Sequence, residues 1–339
     1  MTHRVGFIGT GEIARLHAAA LARMEGWEPA AGYDANGETG AAFCRGVGCA
    51  QARSAEEIFE DGRIDTVYIC TRHDSHAQLA AAACRAGKNI FLEKPVALTP
   101  QAARPLEEAY RENPVPLAVG YNMRVTPAVE RLKALLKQHG ARPDSFRASM
   151  TGPPFMDGWA SDPAAGGGVL VCQGSHMFDL LAHVLGSPVA AVCAATQHLR
   201  LPKEREPNAA ALLVKLANGV CGTLLLHDRG TAAYHAQNEG RMVNLTVYAP
   251  EGTFDADAYG KVRWGTQGGF FEELPSPDRS QLVSWGYMAQ ARAFARLLET
   301  GESPLCGLKE ALRTARAVAA AKTAAQGGWA AVQYTAFNQ

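Results

Sequence analysis

Short apolar runs alternate with amphipathic stretches through the first 120 residues, and the alternation predicts how that part of the chain folds. Val5–Ile8, Pro29–Tyr33, Thr66–Cys70, Asn89–Leu92 and Leu117–Val119 have the length and apolar character of buried strands. Between them, about Glu12–Met24, Gly37–Arg45, Ala55–Phe59, Ser75–Ala86 and Pro100–Glu112 carry apolar residues at helical spacing. Strands separated by helices make parallel βαβ units. The expectation for residues 1–120 is therefore an α/β domain built on a doubly wound parallel sheet.

Beyond Gly120 the texture changes. A helix at Ala128–His139 leads to a strand near Ser145–Met150, then a Pro- and Gly-rich loop, Thr151–Gly168, and a helix at Val169–Leu185. Strands follow at Val189–Thr196, Ala210–Leu216, Val220–Leu226, Val243–Tyr248 and Gly252–Asp257. Short turns such as Ala217-Asn-Gly219 and Ala249-Pro-Glu-Gly252 join them, which predicts mostly antiparallel pairing. Two Ala-rich helices, Met288–Thr300 and Leu308–Gln326, come near the end. Residues 121–339 are thus expected to form an α+β domain with a large, mostly antiparallel open sheet. The last helix, about 308–326, either covers that sheet or returns to pack on the first domain. An open sheet face also gives two copies a surface on which to associate.

A length of 339 residues fits about two domains. At 47% hydrophobic and 19% charged residues the chain buries a sizeable core and shows no mark of disorder. Lys plus Arg and Asp plus Glu number 33 each, and this zero formal charge speaks against nucleic acid or an anionic membrane as partner. No apolar run approaches the roughly 20 residues of a spanning helix, and no signal-peptide pattern opens the chain. The eight cysteines, at 44, 49, 70, 84, 172, 193, 221 and 306, form neither Cys-x-x-Cys pairs nor a zinc spacing. Reduced thiols in a cytoplasmic protein without a metal are expected.

Three stretches carry candidate chemistry. The first is Gly9-Thr10-Gly11-Glu12-Ile13-Ala14, between the first strand and first helix. Gly9 suits a tight turn, Gly11 a close approach to a pyrophosphate, and Ala14 close helix–strand packing. The phosphates are expected on free N–H groups at the helix N-terminus. Asp34 closes the second strand, 23 residues past Gly11, where a carboxylate can accept from the adenine ribose 2′-hydroxyl. It would repel a 2′-phosphate, and no Arg or Lys follows in Ala35-Asn36-Gly37, so NAD is favoured over NADP. The competing reading of Asp34 is a solvated turn residue.

The second is Glu93-Lys94-Pro95, after the fifth strand. Ligands in open α/β sheets bind beyond the carboxyl ends of the strands, so Lys94 is placed to stabilise a developing alkoxide. The competing reading is a structural turn. The third is Gly166-Gly-Gly168 followed by Cys172, His176, Asp179 and His183, which share one face of the next helix. The glycine run is expected to leave room for a ligand at the helix N-terminus. His176 suits a general base, and His183, farther along, a structural residue. A metal site made of His176, Asp179 and His183 is conceivable from spacing but leaves the glycine turn unexplained.

Together these motifs, in this order, resemble the glucose–fructose oxidoreductase/inositol dehydrogenase (Gfo/Idh/MocA) family of nicotinamide-dependent sugar dehydrogenases, over essentially the whole chain. Gly120-Tyr121-Asn122 and Trp159-Ala-Ser-Asp-Pro163 add to the likeness. It implies a Rossmann domain followed by a substrate-binding and oligomerisation domain. It implies NAD-dependent oxidation of a CH–OH group in a sugar, sugar acid or cyclitol, and a homodimer or homotetramer. By resemblance Lys94 and His176 are catalytic. Asn122, Trp159 and Asp179 join them in binding substrate. Thr71, Arg72, His73, His76, Glu93 and Lys94 lie near the nicotinamide. Substrate specificity is expected in Tyr121–Thr126, Thr151–Asp162 and Tyr234–Arg241.

Two departures stand out. Family members commonly show Thr-Pro-Asn where this chain has Thr71-Arg72-His73. Cys172 occupies the place of a family aspartate one turn before the histidine, and a carboxylate there would orient the imidazole. Cys172 either fills the space, forms a thiolate beside His176 and Lys94, or marks impaired catalysis. The last possibility makes the chain a non-catalytic NAD- and sugar-binding regulator. A redox-neutral lyase or glycosidase working by transient oxidation is a further alternative.

Overall fold

The computed structural model describes residues 2–152, 158–198, 205–228 and 242–332. In the first third, β1 (His3–Ile8), β2 (Trp27–Tyr33), β3 (Ala50–Gln51), β4 (Thr66–Ile69), β5 (Asn89–Leu92) and β6 (Leu117–Val119) pair in parallel, in the order β3-β2-β1-β4-β5-β6. The order reverses between β1 and β4, the switch point beyond which such sheets bind ligands. Helices α1 (Glu12–Leu21), α2 (Gly37–Val47), α3 (Ala55–Glu60), α4 (His76–Arg85) and α5 (Arg104–Glu112) make the connections. Strand β3 was not legible in sequence: Ala50-Gln51 has no apolar period and pairs only with Ala31 and Gly32 at the sheet edge.

The chain continues through α6 (Pro127–Gln138), β7 (Ser145–Thr151), α7 (Gly168–Leu185), β8 (Val189–Gln197), β9 (Ala209–Leu216) and β10 (Cys221–His227). There follow β11 (Val243–Ala249), β12 (Gly252–Asp257), β13 (Val262–Thr266), β14 (Gly269–Glu273) and the single turn α8 (Gln281–Ser284). Helices α9 (Tyr287–Thr300) and α10 (Leu308–Ala324) precede a last strand, β15 (Trp329–Ala331). The second sheet has nine strands, ordered β14-β13-β12-β11-β7-β10-β9-β8-β15, and all neighbours are antiparallel except β7 and β10. Alternation sets its two faces: in β9, Leu212, Val214 and Leu216 are buried while Ala211, Leu213 and Lys215 are exposed. The β13–β14 hairpin was missed because Phe270 and Phe271 at this edge stay 72% and 43% exposed, so no buried face imposes a period.

Two compact units result: Met1–Tyr121 with Tyr287–Leu308, and Asn122–Gly286 with Lys309–Gln339. In the first, α9 supplies Phe294, whose ring lies 5.5 Å from Phe91 and 5.9 Å from Tyr68, both near edge-on. In the second, α7 is the central helix. By length and composition it could cross a membrane, which corrects the expectation that no run comes close, but 83% of it is buried inside the fold. It is a core helix.

Candidate functional site

The turn after β1 needs its first glycine. Gly9 has φ +79°, and a Cβ there would stand 2.6 Å from the Cys70 carbonyl. A side chain would push the β1–α1 turn off the end of β4. Gly11 is the N-cap of α1 and offers no side-chain cap, and nothing lies within 4 Å of where its Cβ would be. A helix N-terminus with open space before it fits an anionic pyrophosphate. Asp34 is fastened beside it. Its Oδ2 accepts from the Thr10 N–H at 2.8 Å and from Thr10 Oγ1 at 3.2 Å, and its Oδ1 accepts from the Asn36 N–H at 2.9 Å. With roughly four lone-pair sites, an ionised carboxylate held this way still has capacity for a ribose hydroxyl.

Beyond β5, the Lys94–Pro95 peptide bond is cis, and the Lys94 N–H donates to Glu93 Oε2 at 3.2 Å. His76 bridges this turn to the loop after β4: its Nδ1 lies 2.7 Å from the Pro95 carbonyl and its Nε2 3.0 Å from that of Thr71. Burial pushes the His76 pKa down. The ring is therefore neutral near pH 7, and its single N–H serves one of the two carbonyls. In the same loop Ser75 Oγ donates to Thr71 Oγ1 at 2.7 Å, Arg72 pairs with Asp74 at 3.3 Å, and His73 is buried with its ring 5.8 Å from that of His76. Motif reading missed His17, buried on α1, whose Nε2 lies 2.8 Å from Glu93 Oε1.

In the second unit the room expected at Gly166–Gly168 is filled by the chain itself. A Cβ at Gly166 would overlap the Ala160 backbone. At Gly168, φ +69°, it would overlap Glu206 Cβ. These glycines serve close packing at the start of α7, not ligand space. His176 is 9% exposed, and Cys172, one turn before it, is half-buried. The Asp179 carboxylate is bound bidentately by Arg124, Nε to Oδ2 at 2.8 Å and Nη2 to Oδ1 at 2.7 Å. Arg124 was read only as part of the expected specificity segment Tyr121–Thr126, with no role of its own. It stands two residues past Asn122 in an apolar segment, and that unusual position was its one signal. Asn122 itself is buried and donates from Nδ2 to the Trp285 carbonyl at 2.9 Å. Trp159 is 42% exposed in a short 3₁₀ turn. Of the expected specificity segments, residues 153–157 and 234–241 lie outside the described residues.

His183 accepts from Lys133 Nζ at 2.8 Å. Burial, with the Arg124 and Lys133 charges nearby, pulls the His183 pKa down to about 3, and burial also lowers that of Lys133. With Asp179 held by Arg124 and His183 by Lys133, the three-residue metal reading loses two of its ligands. Among the described residues no group of three or more His, Cys, Asp or Glu is arranged to hold a metal. The unfolded chain binds a proton at this histidine below about pH 6.5, whereas the folded chain does so only near pH 3. Its contribution is complete above about pH 6.5 and lost progressively as pH falls through that window. His183→Gln keeps an acceptor for Lys133 but cannot titrate. Its melting temperature is expected to fall less than that of the wild type between pH 6.5 and 4; parallel curves would reject this account.

Residues 3–121 match the family model described as the oxidoreductase family with an NAD-binding Rossmann fold, and residues 131–255 match the GFO/IDH/MocA C-terminal domain. A 1,5-anhydro-D-fructose reductase from Ensifer adhaerens is 30% identical over 264 residues, covering 74% of this chain and 79% of that protein. A levoglucosan dehydrogenase from Pseudarthrobacter phenanthrenivorans is 30% identical over 203 residues, 54% of this chain and 51% of that protein. A solved levoglucosan dehydrogenase in complex with NADH superposes with a TM-score of 0.88 over 99% of this chain and 100% of that one. Its 20% identity makes that a likeness of fold. By its matches to both family models, the chain belongs to the GFO/IDH/MocA family of oxidoreductases and carries that family's NAD-binding Rossmann domain.

Proposed function

We propose that this protein oxidises a secondary alcohol of a sugar, sugar acid or cyclitol with NAD, and reduces the corresponding ketone in reverse. The observation that carries the reading is the Asp34 carboxylate locked to Thr10 beside the open N-terminus of α1. The first-turn N–H groups of Glu12 and Ile13, with the Gly9-Thr10-Gly11 backbone, hold the pyrophosphate. Asp34 accepts from the ribose 2′-hydroxyl and repels a 2′-phosphate, so NAD is preferred to NADP. Thr71, Arg72, His73, His76 and Glu93 frame the nicotinamide, which supplies the hydride acceptor. Lys94 donates to the substrate oxygen as negative charge develops there. His176 takes the hydroxyl proton. Asn122 and Trp159 border the substrate, Asp179 acts as half of a fixed pair with Arg124, and Cys172 fills the place of the family's aspartate.

A panel of sugars, sugar acids and inositols assayed with NAD and with NADP tests this. NADH formation with a preference for NAD is expected. NADH binding without turnover on any compound would make the protein a sensor, and substrate loss without net NADH would make it a redox-neutral enzyme. Cys172→Asp, run alongside, places a carboxylate one turn from His176. That charge favours imidazolium, so the acidic limb of the oxidation pH profile is expected to move up by about one unit. An unmoved limb would make position 172 incidental.

We further propose that a second copy covers the outer face of the nine-stranded sheet. Leu213 and Leu225 project from neighbouring strands there, 48% and 47% exposed, and the pleat presents Ala211 directly opposite Leu225. Leu225→Arg is expected to reduce the mass in light scattering to that of one chain. A wild-type protein that is already a monomer would overturn the interface.

A further inference from the structure

Helix α1 reaches Lys94 through a buried pair. The His17 side chain is 1% exposed, with its Nε2 2.8 Å from Glu93 Oε1. Its ring is boxed by Phe91 at 4.7 Å and Tyr287 at 5.1 Å, both edge-on, and by Tyr68 at 5.3 Å. Such a box excludes water and leaves the ring one orientation, so the bond to Glu93 forms in a low-dielectric setting where it is strong. Glu93 spends its other oxygen, Oε2, on the Lys94 N–H at 3.2 Å. The carboxylate also has a place cleared for it, since a Cβ on Gly120 would stand 2.7 Å from Oε1. A buried carboxylate is costly unless it is paired, and here its two oxygens are divided between a histidine on one side and the lysine's own amide on the other.

The geometry points to His17 as a positioning residue for Lys94, acting through the Glu93 carboxylate. The helix whose N-terminus faces the dinucleotide phosphates thereby also fixes the turn that presents the lysine. On the far side of that turn His76 lies against the Pro95 carbonyl, so the three-residue segment is held between two buried imidazoles. The assignment rests on the reading of Lys94 as a catalytic group.

The test is a mutant cycle on the full chain, with NAD and whichever polyol gives the fastest NADH formation. His17→Phe suits the aromatic box but leaves Glu93 without its donor. It is expected to lower kcat about 10- to 100-fold while NADH affinity, read by fluorescence titration, stays within about threefold. His17→Gln, with an amide N–H near the position of Nε2, is expected to recover most of that loss. In a Lys94→Ala background, His17→Phe should lower kcat by less than about twofold more, because the group it positions is gone. Equal losses in both backgrounds, or a loss carried by NADH affinity, would overturn the role of His17 and leave Lys94 standing. A fully active Lys94→Ala would remove the reading of Lys94 itself, and a wild type without NADH formation on any polyol would remove both. If His17→Phe does not fold, the same comparison made with His17→Gln decides: its smaller loss must vanish in the Lys94→Ala background.

Discussion

Lys94→Ala is expected to lower kcat for alcohol oxidation by about 10²- to 10³-fold, the range seen when one donor to a developing oxyanion is removed. NADH affinity should change little, because the proposed pyrophosphate and ribose contacts lie at Gly9–Ile13 and Asp34. The backbone of the turn has contacts of its own. It is held by the Lys94 N–H on Glu93, and His76 lies against the Pro95 carbonyl. The loss should therefore appear in turnover. Lys94→Arg should recover little, since a planar guanidinium cannot stand in for a compact ammonium at a single oxygen. Steady-state rates beside NADH titration check this, and full activity in the alanine variant would end the assignment.

Arg124→Ala is expected to destabilise the protein by about 3–5 kcal/mol, the cost of breaking a buried ion pair from one side. Both partners are enclosed, with side-chain exposures of 7% for Arg124 and 1% for Asp179. Removing the guanidinium leaves a buried carboxylate without its bidentate partner. Removing both charges is a different matter: Arg124→Met with Asp179→Leu restores an apolar contact and should lie near wild-type stability. The pair's value is then geometric. It holds the helix bearing His176 against the segment that starts the second unit at Asn122. Urea denaturation of the two single variants and the double variant measures this, and a loss below about 1 kcal/mol in Arg124→Ala would mean the site relaxes around the missing charge.

The parallel sheet and its order of helices were open to reading from sequence because each element carries its own period. Buried on both faces, strands such as Val5–Ile8 read as continuous apolar runs, and α1 and α4 show one apolar face each. The same reading succeeded in β9, where alternation separates two faces, and failed in β3 and β14, which lie at sheet edges and bury too little to impose a pattern. The glycines divide in the same way. Gly9 was read correctly as a turn residue because strand, turn and helix adjoin in the chain. Gly166 and Gly168 were misread because what crowds them depends on how the chain folds back: Ala160 by the turn of the same loop, and Glu206 from a distant segment.

Sequence alone therefore determined the kind of fold and the glycine turn after the first strand, and singled out Asp34, Lys94 and His176 as candidates for the chemistry. These rest on local spacing, where cause and effect lie within a few residues. The tertiary structure decided what each polar group is bound to: Asp179 by Arg124, 55 positions apart, His183 by Lys133, 50 apart, and Glu93 by His17, 76 apart. Such partners are chosen by burial. A charged or polar side chain withdrawn from water must be matched by whatever the fold brings alongside, and no local pattern records which residue that will be.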